Sequence, residues 1–337
     1  MTSRSVRFGV WYDFRNPAPW TQSYENLYAE TLDQIEWAET LGYDSVWLSE
    51  HHFCDDGYTP SPLVIAGAVG ARTKKMVIGT NVLLLPLHDP IRIAEDSATL
   101  SIMTGGRFDL GVGLGYREEE FYGFRRDLSK RPSTFEESVE VIRRAWSGEP
   151  VGFEGKRISV PDVSVTPAPE HGPQLLLGGM SQVAVDRVAR IGDGFLCAVP
   201  AHLPMYTEAL TKADKDPSQG RVYSGQWAII DDDPEKMWSE IGDHALYQVN
   251  QYIRWGAFGA DLTPFEHRDD VIAAGMYQLW DAATAVSELT TLLSDWPQIE
   301  DVYFWAKLPG EAIETSSRRV EYLASRVMPE VKARLSS

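Results

Sequence analysis

The sequence predicts an α/β protein: a single domain over 1–337 built as a TIM-type (β/α)8 barrel, with a small hairpin before the fifth strand and an insertion after the seventh. Three observations carry this. Short apolar runs rich in β-branched and aromatic residues alternate with longer stretches of helical period, the pattern of βα units around a parallel sheet. Eight such runs can be placed, which favours a closed barrel over an open sheet. A length of 337 residues exceeds the usual ceiling for one core but is routine for this barrel.

In chain order, residues 6–12 form the first strand, and 27–41 (LYAETLDQIEWAETL) an amphipathic helix closed by Gly42. The second strand is 45–49, followed by a helix over 62–72. The third is 76–80, with a helix over 90–103 that carries Pro90 in its first turn. The fourth strand is 107–112. A helix over 134–146 starts from a cap at Ser133 or Thr134, with Glu136 and Glu137 in its first turn. VGFEGKRISV then reads as a hairpin turning at EGK. The fifth strand, 174–177, runs into Gly178-Gly179 and a helix over 181–191. The sixth, seventh and eighth strands fall at 194–199, 226–230 and 302–306. Segment 247–279, rich in Trp, Phe, Gly and Asp without a clean period, reads as the insertion, either a lid or pocket wall or an extra packed helix pair.

Composition narrows the function. With 43% hydrophobic and 24% charged residues, the chain is an ordinary globular protein. A formal net charge of −18 repels phosphate backbones and anionic lipid, so nucleic acid and membrane are not expected as partners. The N-terminal stretch MTSRSVRFGVW has no apolar export core, and no window is long and apolar enough to span a bilayer, so a cytoplasmic location is expected. Cys54 and Cys197 make no CxxC and fit reduced thiols; Cys54 is read as packing.

Residues just after barrel strands project from the carboxyl-terminal face, where reaction pockets lie. Three stretches fall there. Glu50-His51-His52 follows the second strand, in WLSEHHF. Zinc needs three or four ligands of definite geometry, the adjacent histidines lack i, i+4 spacing, and no spacing brings in His88 or His171, so no metal is expected. The remaining readings are a catalytic imidazole, with Glu50 setting its basicity or tautomer and His52 in support, or a satisfied polar strand end. VIGTNVLLLPLHDP places Asn81 and Val82 before an apolar wall that suits an aromatic ring or a core strand equally. In LLLGGMSQVAVDRVA, the glycines, Met180 and Ser181 sit between strand and helix, so free N–H groups, a hydroxyl and the helix dipole converge on an anion site. GVGLGY, at 111–116, lacks the last glycine of GxGxxG and starts no helix, which excludes a Rossmann reading.

These stretches, with YDSVWLSEHHF and the run through GGRFDLGVGLGY and EEEFYGF, resemble the bacterial luciferase-like flavin-dependent oxidoreductases over most of the chain. The resemblance is strongest over 43–123 and 174–199. It implies a barrel that usually forms homodimers and a loosely held cofactor, either reduced FMN (FMNH2) or the deazaflavin coenzyme F420. Gly178, Gly179, Met180 and Ser181 would hold the phosphate, a non-proline cis peptide maps onto Asn81–Val82, and His51 aligns with the catalytic histidine, flanked by Glu50 and His52.

EHHF and PLHDPIRIAED tilt the resemblance toward an FMN-dependent monooxygenase that oxygenates an apolar organic substrate with O2, supplied by a separate flavin reductase. Leu114 stands where luciferases carry a phosphate-binding basic residue, so phosphate must rest on the glycine turn, with Arg187 or another cation to help. That departure keeps F420-dependent hydride transfer as the alternative. A non-catalytic flavin-binding protein or subunit is the reading from another class. The pocket walls are expected from Trp11, Phe53, Leu83 and Tyr116, joined by Tyr12, Phe121, Trp227, Tyr252 and Trp255, an apolar lining for an apolar ligand.

Overall fold

The computed structural model describes residues 6–259 and 261–336. Eight barrel strands, joined by the two-residue strand Leu83–Leu84, form one parallel sheet: β1 (Arg7–Tyr12), β2 (Ser45–Leu48), β3 (Val77–Thr80), β4 (Phe108–Gly113), β5 (Leu175–Gly178), β6 (Gly194–Cys197), β7 (Val222–Gln226) and β8 (Ile299–Trp305). Neighbours in sequence are neighbours in space, β8 pairs with β1, and the sheet closes into a barrel.

Gly111 shows what one tight contact of the barrel requires. A Cβ there would lie 1.9 Å from the Thr80 carbonyl oxygen, so only glycine permits the approach of β4 to β3. The Thr80 hydroxyl reinforces it, donating to the Gly111 carbonyl at 2.7 Å and accepting the Gly111 N–H at 3.0 Å.

Helices pack outside the barrel: α1 (Tyr24–Thr40), α2 (Pro62–Arg72), α3 (Pro90–Thr104), α4 (Arg131–Trp146), α5 (Gln182–Ile191), α6 (Leu203–Lys212), α7 (Pro234–Arg254), α8 (Ala282–Asp295) and α9 (Ile313–Tyr322). Their apolar faces meet strand residues such as Val46, Ile78, Leu110 and Val302 in the main core. A second cluster, with Trp47, Leu176, Tyr223 and Tyr303, joins the strands to α7. Fully burying one such aliphatic side chain contributes about 1.5–3 kcal/mol, so the two layers dominate stability. Among the described residues no helix is long and apolar enough to cross a membrane.

The hairpin before β5 is present, with Phe153–Glu154 antiparallel to Ser159–Val160. The seventh strand is displaced from its expected place at 226–230: β7 is Val222–Gln226. The shift has a physical cause. VYSGQ is not an apolar run, because Ser224 and Gln226 are buried and bond each other at 2.9 Å. The more apolar Ala228–Ile230 instead pairs in parallel with Gln278–Trp280 in a separate two-stranded sheet. The helix expected at 134–146 begins three residues earlier, and the Ser133 and Thr134 hydroxyls donate to the Lys130 carbonyl inside its first turn rather than capping it. Segment 247–279 is also more regular than expected. It opens with the end of α7 and includes a short helix, Arg268–Ala273, with a periodicity masked by the aromatic residues that α7 turns inward; position 260 lies outside the described residues.

Candidate active site

The carboxyl-terminal ends of the strands surround a pocket of about 260 Å³. Its floor and walls include Trp11 from β1, Glu50 and His51 after β2, Asn81 and Val82 after β3, Leu114 and Tyr116 after β4, and Gly178 to Met180 after β5. Trp227, Tyr252 and Phe258 close it from the β7–β8 connection. No Lys or Arg side chain lies on its wall among the described residues.

His51 is the titratable centre. Its backbone N–H donates to the Thr59 carbonyl at 3.1 Å, fixing the turn after β2. Its Nδ1 lies 2.7 Å from Glu120 Oε1, and its Nε2 faces the Tyr116 hydroxyl at 3.3 Å. Tyr58 and Trp255 stand at 4.8 and 5.0 Å between ring centroids. Burial lowers the His51 pKa, outweighing the opposing hydrogen bond and charge of Glu120, so the ring is held neutral at pH 7 with Nε2 toward the pocket. A neutral imidazole oriented through Nδ1 by a carboxylate is a proton acceptor at Nε2.

Glu120, absent from the expected site, is its anchor. It is fully buried; Oε1 meets His51 Nδ1 and also accepts the His52 N–H at 3.0 Å and Arg117 Nη1 at 3.3 Å. In sequence Glu118-Glu119-Glu120 reads as a solvated charge run at a helix start. The short helix Glu118–Gly123 turns only the third glutamate inward.

Glu50 has a different partner from the expected one. Its Oε1 lies 3.0 Å from His52 Nε2 and 2.8 Å from His88 Nε2, and its Oε2 accepts the Leu84 N–H. Burial pushes its pKa up, but the hydrogen bonds and charges of His52 and His88 prevail and hold it at about 2. A permanent carboxylate thus lines the pocket beside His51 without contacting it. Glu50, His52 and His88 present ligand atoms within 4.8 Å of one another, a set the spacing did not reveal. Both imidazoles reach the same carboxylate oxygen, so the three groups satisfy one another as a hydrogen-bonded unit.

At the opposite rim, Ser181 caps α5, its hydroxyl accepting the Ala184 N–H at 3.4 Å. Val82 reaches across to this rim: a Cβ on Gly178 would lie 2.9 Å from Val82 Cγ1, so the glycine keeps the turn open beside that side chain. The Asn81–Val82 peptide is cis. Arg187 does not serve the turn, since its Nε donates to Glu136 Oε1 at 2.9 Å.

With this geometry in place, comparison with known proteins is decisive for kinship. A family model described as luciferase-like monooxygenase matches residues 6–290. The chain belongs to that luciferase-like family. Among curated relatives, an F420-dependent glucose-6-phosphate dehydrogenase of Microbacterium testaceum is 35% identical over 194 residues, 56% of this chain and 57% of the relative. The chain therefore spans little more than half the length of such relatives. Among solved structures, the monooxygenase RslO1 from Streptomyces bottropensis superposes with a TM-score of 0.82 at 22% identity, covering 96% of this chain and 99% of that one. An F420-dependent secondary alcohol dehydrogenase gives 0.71 at 21% identity, covering 97% and 99%.

Within this luciferase-like barrel, the expected site residues divide. Trp11, Glu50, His51, Asn81, Val82, Tyr116, Gly178, Gly179 and Met180 share the pocket; Ser181 stands just behind it as the α5 cap. His52 faces the other way, its ring 4.6 Å from that of Phe124. Phe53 is not a wall residue: it is 61% exposed, because a φ of +54° turns it outward onto Phe124 and Gly123. Leu83 is not one either. In the extended pair Leu83–Leu84, side chains alternate, so Leu83 enters the main core and Leu84 takes the pocket side. Tyr12 points outward to Gln34 at 2.9 Å, and Trp255 is held between the guanidinium groups of Arg15 and Arg117 at 5.2 and 4.5 Å. Cys54 is poorly nucleophilic, burial pushing its thiol up to about 11.

Proposed function

We propose that this luciferase-like oxidoreductase is an F420-dependent enzyme that transfers a hydride from a neutral, largely apolar alcohol. The observation that carries the reaction type is His51, neutral, buried, backed by Glu120 and open to the pocket at Nε2. The cofactor follows from the names of the curated relatives, F420-dependent enzymes at 31–35% identity, and this supports the deazaflavin reading over reduced FMN.

The residues present fit such a group. The aromatic and aliphatic lining accepts a flat ring system, and the glycine turn ahead of α5 accepts a phosphate through backbone N–H groups and the helix dipole. With Leu114 and Arg187 giving that turn no cation, a singly charged phosphodiester such as that of F420 is accommodated at less cost than the dianionic monoester of FMN. A bound deazaflavin supplies two-electron hydride acceptance without oxygen chemistry.

The chain supplies the rest. His51 Nε2 takes the hydroxyl proton as the substrate C–H bond yields its hydride, and Glu120 stabilises the resulting imidazolium through Nδ1–H. Tyr116 and Tyr58 orient the hydroxyl beside the ring; Trp227, Tyr252 and Phe258 exclude water. The absence of a wall cation among the described residues argues for a neutral substrate rather than a sugar phosphate. Titrating the protein with F420 and with FMN, read by tryptophan fluorescence, tests the assignment: tighter binding of F420 is expected, and tighter binding of FMN would overturn it.

A further inference from the structure

The reaction pocket has no cation on its wall, yet a neighbouring cleft has five. This cleft, about 390 Å³, lies between the turn after β3, the start of α4 and the hairpin. Arg125, Arg126, Lys130, Arg131 and Arg157 line it, with His88 at one edge. In a chain of formal net charge −18, such a concentration of positive charge runs against the whole surface.

The cations are not there to neutralise neighbours. None of the five forms an ion pair with a carboxylate among the described residues. The two aspartates on the same wall are committed elsewhere. Asp89 accepts the Ile91 and Arg92 N–H groups at 2.9 and 3.1 Å to cap α3, and Asp127 accepts the Ser129 N–H and hydroxyl at 2.9 and 2.6 Å. Lys130 and Arg157 act on Asp127 only at longer range.

Three guanidinium groups are steadied by one edge each. Arg126 Nε donates to the Leu87 carbonyl at 3.4 Å, Arg131 Nη1 to the Leu128 carbonyl at 3.0 Å, and Arg157 Nε to the Ser133 hydroxyl at 3.1 Å. Their other donors remain for a ligand. Arg131 Nε in particular is shielded from solvent and has no partner. The first turn of α4, with Arg131 and Thr134 on the wall, adds the positive end of a 16-residue helix. Five like charges around one concavity repel one another unless an anion sits among them.

We infer that this cleft binds a small polyanion, of phosphate or polycarboxylate type, at a site separate from the reaction pocket. The two sites adjoin at one hydrogen bond, His88 Nε2 to Glu50 Oε1 at 2.8 Å, and binding in the cleft is measurable without turnover and independently of the proposed reaction.

The test is calorimetric titration of the full chain with pyrophosphate and, separately, with citrate at constant ionic strength. A saturable signal of one ligand per chain is expected from at least one of them, pyrophosphate marking a phosphate-type ligand and citrate a polycarboxylate. Arg125→Gln with Arg157→Gln removes two exposed cations and should weaken binding by about tenfold or more, the value of one charge-assisted hydrogen bond. Lys74→Gln with Lys75→Gln, an exposed basic pair elsewhere, should leave it unchanged. No saturable heat from either anion, or equal weakening in both double variants at unchanged thermal stability, would overturn the inference.

Discussion

Glu50 at the carboxyl-terminal end of the barrel and Asp301 at the amino-terminal end are equally buried carboxyl groups with opposite fates. At the carboxyl-terminal end, Glu50 is surrounded by donors and stays ionised, its pKa held at about 2. At the amino-terminal end, Asp109 and Asp301 are just as buried, and burial prevails over Arg7, pushing each carboxyl up to about 6. The difference is donor geometry. Arg7 Nε approaches Asp301 Oδ2 at 3.2 Å, but its charge and the weaker contributions of Ser45 and Trp47 do not offset burial. Burial alone therefore does not decide whether a carboxylate keeps its charge; aimed N–H groups do. The contrast belongs to the sites rather than to the ends: Asp13, just after β1, has only long contacts from the Arg15 N–H at 3.4 Å and Gln248 Nε2 at 3.5 Å, and burial pushes it up to about 6.

The largest expected effect comes from removing the proposed base, on the pocket side of the barrel. His51→Ala should lower turnover by about 10²–10⁴-fold while leaving cofactor affinity nearly unchanged, measured by steady-state rates beside a binding titration. Unchanged turnover would remove the reason for calling that end reactive.

At the other end the readout is stability. A carboxyl whose folded pKa exceeds its unfolded one holds a proton that the unfolded chain has already released. Asp301 should therefore make stability fall as pH rises from about 4 to about 6, by up to about 3 kcal/mol. Asp301→Asn should flatten that slope in denaturant titrations at several pH values. Glu50 has the opposite sign: its contribution is present above about pH 4.5 and is lost as pH falls through about 2. A slope unchanged by Asp301→Asn between pH 4 and 6 would contradict the contrast between the two carboxyl groups.

Glu120→Gln sharpens the same comparison by weakening one aimed acceptor at the reactive end. His51 then loses the group that raises its pKa, so the acidic limb of the kcat/KM profile should move to lower pH, with turnover down by about tenfold, a part of the acid–base contribution. A fall in turnover without movement of that limb would make Glu120 merely structural. The smallest effect belongs to the far rim, where Ser181→Ala removes a long helix cap. About 0.5–1 kcal/mol of stability should go with it, seen as a lower Tm together with weaker cofactor binding.

How much of this was legible in the sequence follows from the same physics. The barrel was, because alternating apolar runs and helical periods are local signals, and so was the strand-to-helix glycine turn. His51 was marked by its place after a strand. Strand β7 was misplaced because its buried run includes serine, glycine and glutamine, which give no apolar signal. Partnership was the least legible feature. Glu50 is adjacent to His51 in sequence yet bonds His52 and His88, while the carboxylate that serves His51 lies 69 residues away in what reads as a solvated acidic run. Phe53 and Leu83 failed for a similar reason: a positive φ and the alternation of an extended pair set their directions, and residue type reports neither.

The most direct measurement of the central claim is anaerobic turnover. The protein, F420 and a panel of neutral secondary alcohols are mixed without oxygen, and loss of the oxidised deazaflavin absorbance is followed for the wild type and His51→Ala. Stoichiometric reduction of F420 by at least one alcohol, abolished or nearly so in the variant, is the predicted result. No reduction of F420, with an oxygenated product formed instead when reduced FMN and air are supplied, would contradict the account.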